Sequence, residues 1–99
     1  MQRTVLVVDD EPQIRAVLRA YLTQSGYAVL EAGLGADALN VVAKEPPPDL
    51  VLLDIGLPDI DGLEVLRMIR ARSDLPVILV TARAEELDTL LGLSVGADD

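Results

Sequence analysis

The sequence predicts a three-layer α/β fold in which a parallel sheet is covered by helices on both faces. Short apolar, β-branched runs recur along the chain, and each is followed by a segment with helical spacing of apolar residues. The runs are continuously apolar, without polar/apolar alternation, as expected for strands buried on both faces. Four such strand–helix units within 99 residues indicate one small domain.

The first unit is the most clearly marked. Thr4–Val8 reads as a buried strand that stops at Asp9-Asp10-Glu11-Pro12. Pro12 suits the first turn of a helix, with Asp10 or Glu11 as its cap, and Gly26 closes that helix. The spacing predicts one apolar face on this helix, formed by Ile14, Val17, Leu18, Tyr21 and Leu22.

The next three units follow the same order. A strand at 28–30 and a loop at 31–35 lead to a helix at 36–44, with Leu39, Val42 and Ala43 inward and prolines at 46–48 ending it. A strand at 49–53 ends at Asp54, and the loop 55–62 leads to a helix from 63 to about 72. A strand at 76–80 ends at Thr81, and a fourth helix covers 85–94.

Composition excludes several classes of chemistry. The chain has no cysteine and no histidine, so disulfides, thiolate chemistry, a histidine-based triad and imidazole metal sites are excluded. The net charge of −9, a single lysine (Lys44) and two tyrosines leave no basic stripe or stacking platform for nucleic acid. Apolar runs are too short to cross a bilayer and no signal peptide precedes the first strand, which predicts a cytoplasmic protein.

Acidic residues collect where the predicted strands end. Ligands of an open parallel sheet bind beyond the carboxyl ends of its strands, and these ends carry Asp9-Asp10, Glu31, Asp54 and Thr81. If the first and third strands are neighbours, as we expect, Asp10 and Asp54 come close enough to repel each other. A hard divalent cation with oxygen ligands relieves that repulsion, and Mg²⁺ fits best. An aspartate after a strand is often only a helix cap, but no helix follows Asp54 directly.

Four motifs resemble the receiver domains of bacterial two-component response regulators: VVDDE at 7–11, LDIGLPDIDG at 53–62, VTAR at 80–83 and GADD at 96–99. The ending is most similar to the winged-helix OmpR- and PhoB-like branch, and the GLP and TAR segments to its KdpE type. The resemblance implies a flavodoxin-like (CheY-like) sheet of strand order 2-1-3-4, continued by a fifth strand. It also implies a sensor histidine kinase as partner and a winged-helix DNA-binding output domain elsewhere in the protein.

The same resemblance implies a role for each site residue. Asp54 is the implied phospho-acceptor. Asp10 would bind Mg²⁺ directly, Asp9 mainly through water, and Gly56 through its backbone carbonyl. Thr81 would contact the phosphoryl group and act as the switch. Arg83, with Gly56, would border the path of hydrolytic water.

The chain departs from the family after Asp99, where a receiver continues with a fifth strand that supplies a phosphate-binding lysine and then a fifth helix. Lys44, at the far end of the second helix, cannot replace that lysine. We therefore interpret residues 1–99 as a C-terminally truncated receiver and expect impaired phosphorylation. We also expect an exposed edge on strand four, open to homodimerisation or aberrant self-association.

Three alternatives stay open at this stage. Gly33-x-Gly35-x-x-Ala38 follows a strand and precedes a helix, as in a dinucleotide-binding module with Asp54 as the ribose-binding acid. Against this, Glu31 and Asp37 place negative charge at the proposed pyrophosphate. A phosphohydrolase with an aspartyl nucleophile usually has a second acid two residues on, where this chain has Gly56. The third alternative is a degenerate receiver that binds partners without phosphate.

Overall fold

The computed structural model describes residues 2–80, and within them strands and helices alternate as predicted. The elements are β1 (Thr4–Val8), α1 (Pro12–Gln24), β2 (Ala28–Ala32), α2 (Gly35–Val42), β3 (Leu50–Asp54), α3 (Gly62–Arg70) and β4 (Val77–Val80). The strands are parallel in the order β2-β1-β3-β4, which confirms the predicted fold class and strand order. None of the helices in this range is long and apolar enough to cross a membrane.

β1 is central, and one face of the sheet carries the main core. Leu6 pairs in register with Leu30 of β2 and Val51 of β3, so all three side chains point to the same face. α2 and α3 cover this face. The buried cluster between sheet and helices contains Leu6, Val8, Ala32, Ala38, Val51, Leu53, Leu57, Val65, Leu66, Ile69, Leu75 and Val77.

α1 lies on the opposite face of the sheet. Arg15 of α1 forms an ion pair with Glu31 of β2, and the register partner of Glu31 in β1 is Val7, which points away from the face of Leu6. The predicted apolar face of α1 is only partly buried. Leu18 and Leu22 are half-buried, whereas the other three members are exposed: Ile14 by 40%, Val17 by 54% and Tyr21 by 69%. α1 packs along β1 and β2, and within residues 2–80 this packing leaves these three side chains exposed.

β4 is the edge strand of the sheet formed by residues 2–80. Ile78 lies in the register row of Leu52 and Val7, on the α1 face, and is 43% exposed. Val80, on the same face, is 40% exposed. The apolar surface expected at strand four is therefore present in the described part of the chain.

The ends of β2 and α2 differ from the sequence prediction. β2 extends through Glu31 to Ala32, because the Asp9 amide donates to the Ala32 carbonyl at 3.1 Å and prolongs the pairing. α2 ends at Val42, so Ala43 is a C-cap and exposed, contrary to its predicted inward position. Ala38 fills the inward position instead and is fully buried. The predicted fourth helix lies outside the described residues.

Candidate functional site

The side chains of Asp9, Asp10 and Asp54 form an acidic pocket at the carboxyl ends of β1 and β3. These strands are neighbours, with Val8 opposite Leu53, so the residues that follow lie side by side. One carboxylate oxygen from each aspartate lies within 4.8 Å of the other two. Asp9 is 9% exposed, Asp10 is exposed and Asp54 is half-buried. The predicted convergence of the three aspartates is thus found.

Asp9 is held by its backbone and by its side chain. Its carbonyl accepts a 2.6 Å hydrogen bond from Nη1 of Arg15, and its Oδ1 accepts from the Glu11 amide at 2.9 Å. Glu11 is the N-cap residue of α1, but its own side chain makes no capping hydrogen bond. The β1–α1 turn is therefore fixed by Asp9, while the exposed carboxylate of Asp10 extends toward solvent.

Glu31 lies at the carboxyl edge as predicted, but its carboxylate pairs with α1. Arg15 Nε lies 3.0 Å from one carboxylate oxygen and Arg19 Nη1 lies 2.6 Å from the other. The hydrogen bond from Arg19, followed by that from Arg15, holds the pKa of Glu31 below its ordinary value. Arg15 therefore links α1 and β2 to the backbone of the acidic pocket.

The backbone around Asp54 is closely packed. The Gly56 amide donates to Asp54 Oδ1 at 3.2 Å, which restrains rotation of the carboxylate. A Cβ on Gly62 would lie 2.4 Å from Ile55 Cα and 2.6 Å from the Asp54 carbonyl oxygen, so only glycine allows α3 to begin there. The Gly62 amide also donates to the Ile55 carbonyl at 3.3 Å. The last residue of this loop, Gly62, thus packs against its first residue, Ile55.

The tip of this loop binds the N-terminus of α2. The two carboxylate oxygens of Asp59 accept hydrogen bonds from the amides of Gly35 (2.8 Å) and Ala36 (3.0 Å). These donors hold the pKa of Asp59 below its ordinary value. They are also the amides that the dinucleotide alternative assigns to a pyrophosphate, and the Asp59 carboxylate already occupies them. This arrangement argues against the dinucleotide alternative.

Of the remaining predicted residues, Gly56 lies at the pocket, Lys44 lies away from it, and two fall outside the described range. Thr81 and Arg83 are outside residues 2–80. Lys44 is exposed beyond the C-terminus of α2, hence at the edge of the sheet opposite the acidic pocket, as predicted. Gly56 lies beside Asp54 through its amide, and the metal-binding role of its carbonyl stays a prediction.

Three residues of the site were not predicted from the sequence: Arg15, Asp59 and Gly62. Arg15 lies in the first turns of α1, five residues after Asp10, and this position brings it over the strand ends. Asp59 and Gly62 belong to the LPDIDG segment, where the order Pro, Asp and Gly indicates a constrained loop. None of these local signals identifies the residue, distant in sequence, with which each of the three residues makes contact.

The acidic pocket suits a hard cation. Carboxylate oxygens are the ligands that Mg²⁺ and Ca²⁺ prefer, and three carboxylates within 4.8 Å concentrate negative charge that a divalent ion would offset. The exposure of Asp10 leaves access for such an ion and for a phosphoryl group. By its donor set, the site therefore fits Mg²⁺.

Comparisons with known proteins agree with this chemistry. Residues 5–99 match the family described as the response regulator receiver domain. The chain is 50% identical over 95 residues to the transcriptional regulatory protein KdpE of Mycobacterium tuberculosis, covering 96% of this chain and 42% of that protein. It thus spans less than half the length of that relative.

Solved structures of response regulators share the fold. The BeF3-activated N-terminal receiver domain of Klebsiella pneumoniae RstA has a TM-score of 0.87 and 35% identity, covering 98% of this chain and 82% of that one. Response regulator TrrA of Thermotoga maritima, in complex with Mg²⁺-BeF, has a TM-score of 0.86 and 41% identity, covering 98% and 83%.

Proposed function

The chain belongs to the response regulator receiver domain family, and from that membership we propose that Asp54 accepts a phosphoryl group from a sensor histidine kinase. Its curated relatives are response regulators of the OmpR/PhoB type, so the domain serves phosphorylation-dependent signalling. The single observation that carries the assignment of Asp54 is its position in the acidic pocket, within 4.8 Å of Asp9 and Asp10.

The proposed transfer is an in-line displacement. A carboxylate oxygen of Asp54 attacks the phosphorus of a phosphohistidine on the kinase. The new O–P bond forms as the P–N bond breaks, and the imidazole nitrogen keeps the electron pair and takes up a proton. The product is an acyl phosphate on Asp54. The Gly56 amide, 3.2 Å from Oδ1, orients the carboxylate for this attack.

The proposed metal ligands are Asp9, Asp10, Asp54 and the Gly56 carbonyl. When bound, Mg²⁺ supplies charge neutralisation on the phosphoryl oxygens. Asp10 is exposed and suits direct ligation. Asp9 uses one carboxylate oxygen for the Glu11 amide, which supports a contact through water. No other cofactor is proposed.

Thr81 is proposed as the phosphoryl contact and switch. This proposal is supported by the register of β4, in which Val80, the residue before Thr81, pairs with Asp54. A hydroxyl that follows directly after the partner of the phospho-acceptor is a suitable donor to a phosphoryl oxygen.

The other proposals concern the whole protein. KdpE is named a transcriptional regulatory protein, and this chain covers 42% of its length. We therefore propose a winged-helix DNA-binding output domain in the full-length protein and a cytoplasmic location.

The receiver domain itself carries a net charge of −9 and would not bind nucleic acid. The exposed Ile78 and Val80 support self-association through the β4 edge.

The test is phosphorylation of the full-length protein by a small-molecule donor such as acetyl phosphate, in the presence and absence of Mg²⁺. Intact-mass spectrometry should show the gain of one phosphoryl group that requires Mg²⁺ and is released by hydroxylamine, as an acyl phosphate should be. Asp54→Asn should abolish the gain, whereas Asp49→Asn, a surface control, should retain it. A phosphate-independent receiver would gain no mass under conditions that phosphorylate a relative such as RstA, and that result would overturn the proposal.

A further inference from the structure

Asp59 makes a two-point contact between elements that are distant in sequence. Its Oδ1 accepts from Gly35 N at 2.8 Å and its Oδ2 from Ala36 N at 3.0 Å. These are the first two amides of α2, whose N-cap residue Leu34 offers no side-chain hydrogen bond. Asp59 therefore satisfies helix amides that would otherwise lack a protein partner at this end.

The contact is also sterically close. A Cβ on Gly35 would lie 2.9 Å from Val65 Cγ2, 3.0 Å from Ile60 Cβ and 3.4 Å from Asp59 Oδ1. The first residue of α2 therefore packs directly onto the loop and onto α3, with no room for a side chain. Loop and helix can separate only if both the hydrogen bonds and this packing are lost.

The loop that Asp59 holds is the one that begins at the phospho-acceptor. Gly62 closes its far end against the backbone of Asp54 and Ile55, and Leu57 anchors its middle in the core. Asp59 is a further attachment, to the N-terminus of α2. Gly56 lies between Asp54 and these attachments. The attachments therefore determine the position of Gly56.

We infer that Asp59 is a positioning residue: by binding the N-terminus of α2, it holds the loop that carries Gly56 against the acidic pocket and thereby sets divalent-cation affinity and the phosphorylation rate of Asp54. This inference rests on the proposed function. The low pKa of Asp59, caused mainly by the amides of Ala36 and Gly35, agrees with an ionised carboxylate in this contact.

The test compares Asp59→Ala and Asp59→Asn with a matched control, Asp49→Ala. Asp49 also accepts a backbone hydrogen bond, from Thr4 N at 2.7 Å, but at the opposite edge of the sheet. Calorimetric Mg²⁺ titration should show the dissociation constant of Asp59→Ala raised about 10-fold. Asp59→Asn, which keeps one acceptor oxygen, should recover part of the loss. Asp49→Ala should lower the unfolding midpoint and leave Mg²⁺ binding unchanged.

A fourth variant separates position from charge. Gly35→Ala keeps every carboxylate but forces α2 away from the loop, so it should also weaken Mg²⁺ binding and slow phosphorylation by acetyl phosphate. Wild-type affinity in both Asp59→Ala and Gly35→Ala, or an equal loss in Asp49→Ala, would overturn the inference. If the wild-type chain itself neither binds Mg²⁺ nor accepts a phosphoryl group, the proposed function fails instead, so the two failures are distinguishable.

Discussion

Replacing Gly62 by alanine should destabilise the fold and disturb the phospho-acceptor together. The added Cβ would lie 2.4 Å from Ile55 Cα, whereas ordinary contacts of this kind begin at 3.4 Å, so the two backbones must separate by 1.0 Å, the difference between these distances. The atoms in the way belong to the backbone of Asp54 and Ile55 and not to a flexible side chain.

The magnitude follows from two opposing effects. Overpacking of this kind costs about 1–3 kcal/mol, and backbone partners place it at the upper end. Alanine regains up to about 1 kcal/mol over glycine within a helix. A net loss of about 2 kcal/mol in the free energy of unfolding is expected for Gly62→Ala. With a urea slope of about 1–2 kcal/mol per molar, the midpoint should fall by roughly 1–2 M.

Urea unfolding followed by far-ultraviolet circular dichroism measures this shift, and phosphorylation by acetyl phosphate measures the displacement of Asp54. The control is Gly33→Ala, whose Cβ would meet a side-chain atom, Arg15 Nη1 at 3.1 Å, and not backbone. Gly33→Ala should lower the free energy of unfolding by less than about 1 kcal/mol. Equal midpoints for the two variants, or wild-type phosphorylation in Gly62→Ala, would refute the argument from backbone contact.

Three further predictions follow from the contacts around the pocket. Arg15→Ala should lower the free energy of unfolding by about 1–2 kcal/mol, because the Asp9 carbonyl loses a charged donor. The Arg19 side chain contacts Glu31 at the surface, so Arg19→Ala should lower the free energy of unfolding by under about 1 kcal/mol in the same urea assay. The pKa of Glu31 is lowered in the folded state, so the Glu31 carboxylate stabilises the fold fully above its ordinary pKa of 4.5 and loses this contribution as pH falls through the lowered pKa. Glu31→Gln should therefore be less stable than wild type at pH 7. The two proteins should become equally stable in acid, as thermal melts across pH would show. Ile78→Lys should reduce any concentration-dependent light scattering, and unchanged scattering would exclude the β4 edge as the contact.

The sequence was sufficient for the sheet and the acidic pocket because both depend on short-range patterns. Continuous apolar runs such as Thr4–Val8 specify buried parallel strands, and an aspartate just after such a run must lie at the carboxyl edge. Convergence of Asp9, Asp10 and Asp54 then required only that β1 and β3 be neighbours.

What the sequence did not predict depends on partners far along the chain. The helical spacing of α1 identified an apolar stripe but not how much of it the sheet covers, and Tyr21 within that stripe is 69% exposed. Asp59 binds amides 23 and 24 residues earlier, and Arg15 reaches Glu31 16 residues later. No local pattern encodes these pairings, because they arise only after the strands have assembled.

The weak burial of α1 has a dynamic consequence. Within residues 12–24 no side chain is fully buried, whereas α3 buries Val65, Leu66 and Ile69. Local opening should therefore release α1 before α3, and its amide hydrogens should exchange with solvent sooner. Each opening also withdraws Arg15 from the Asp9 carbonyl. Of the three helices within residues 2–80, the one without a buried side chain thus governs how long one wall of the acidic pocket keeps its shape.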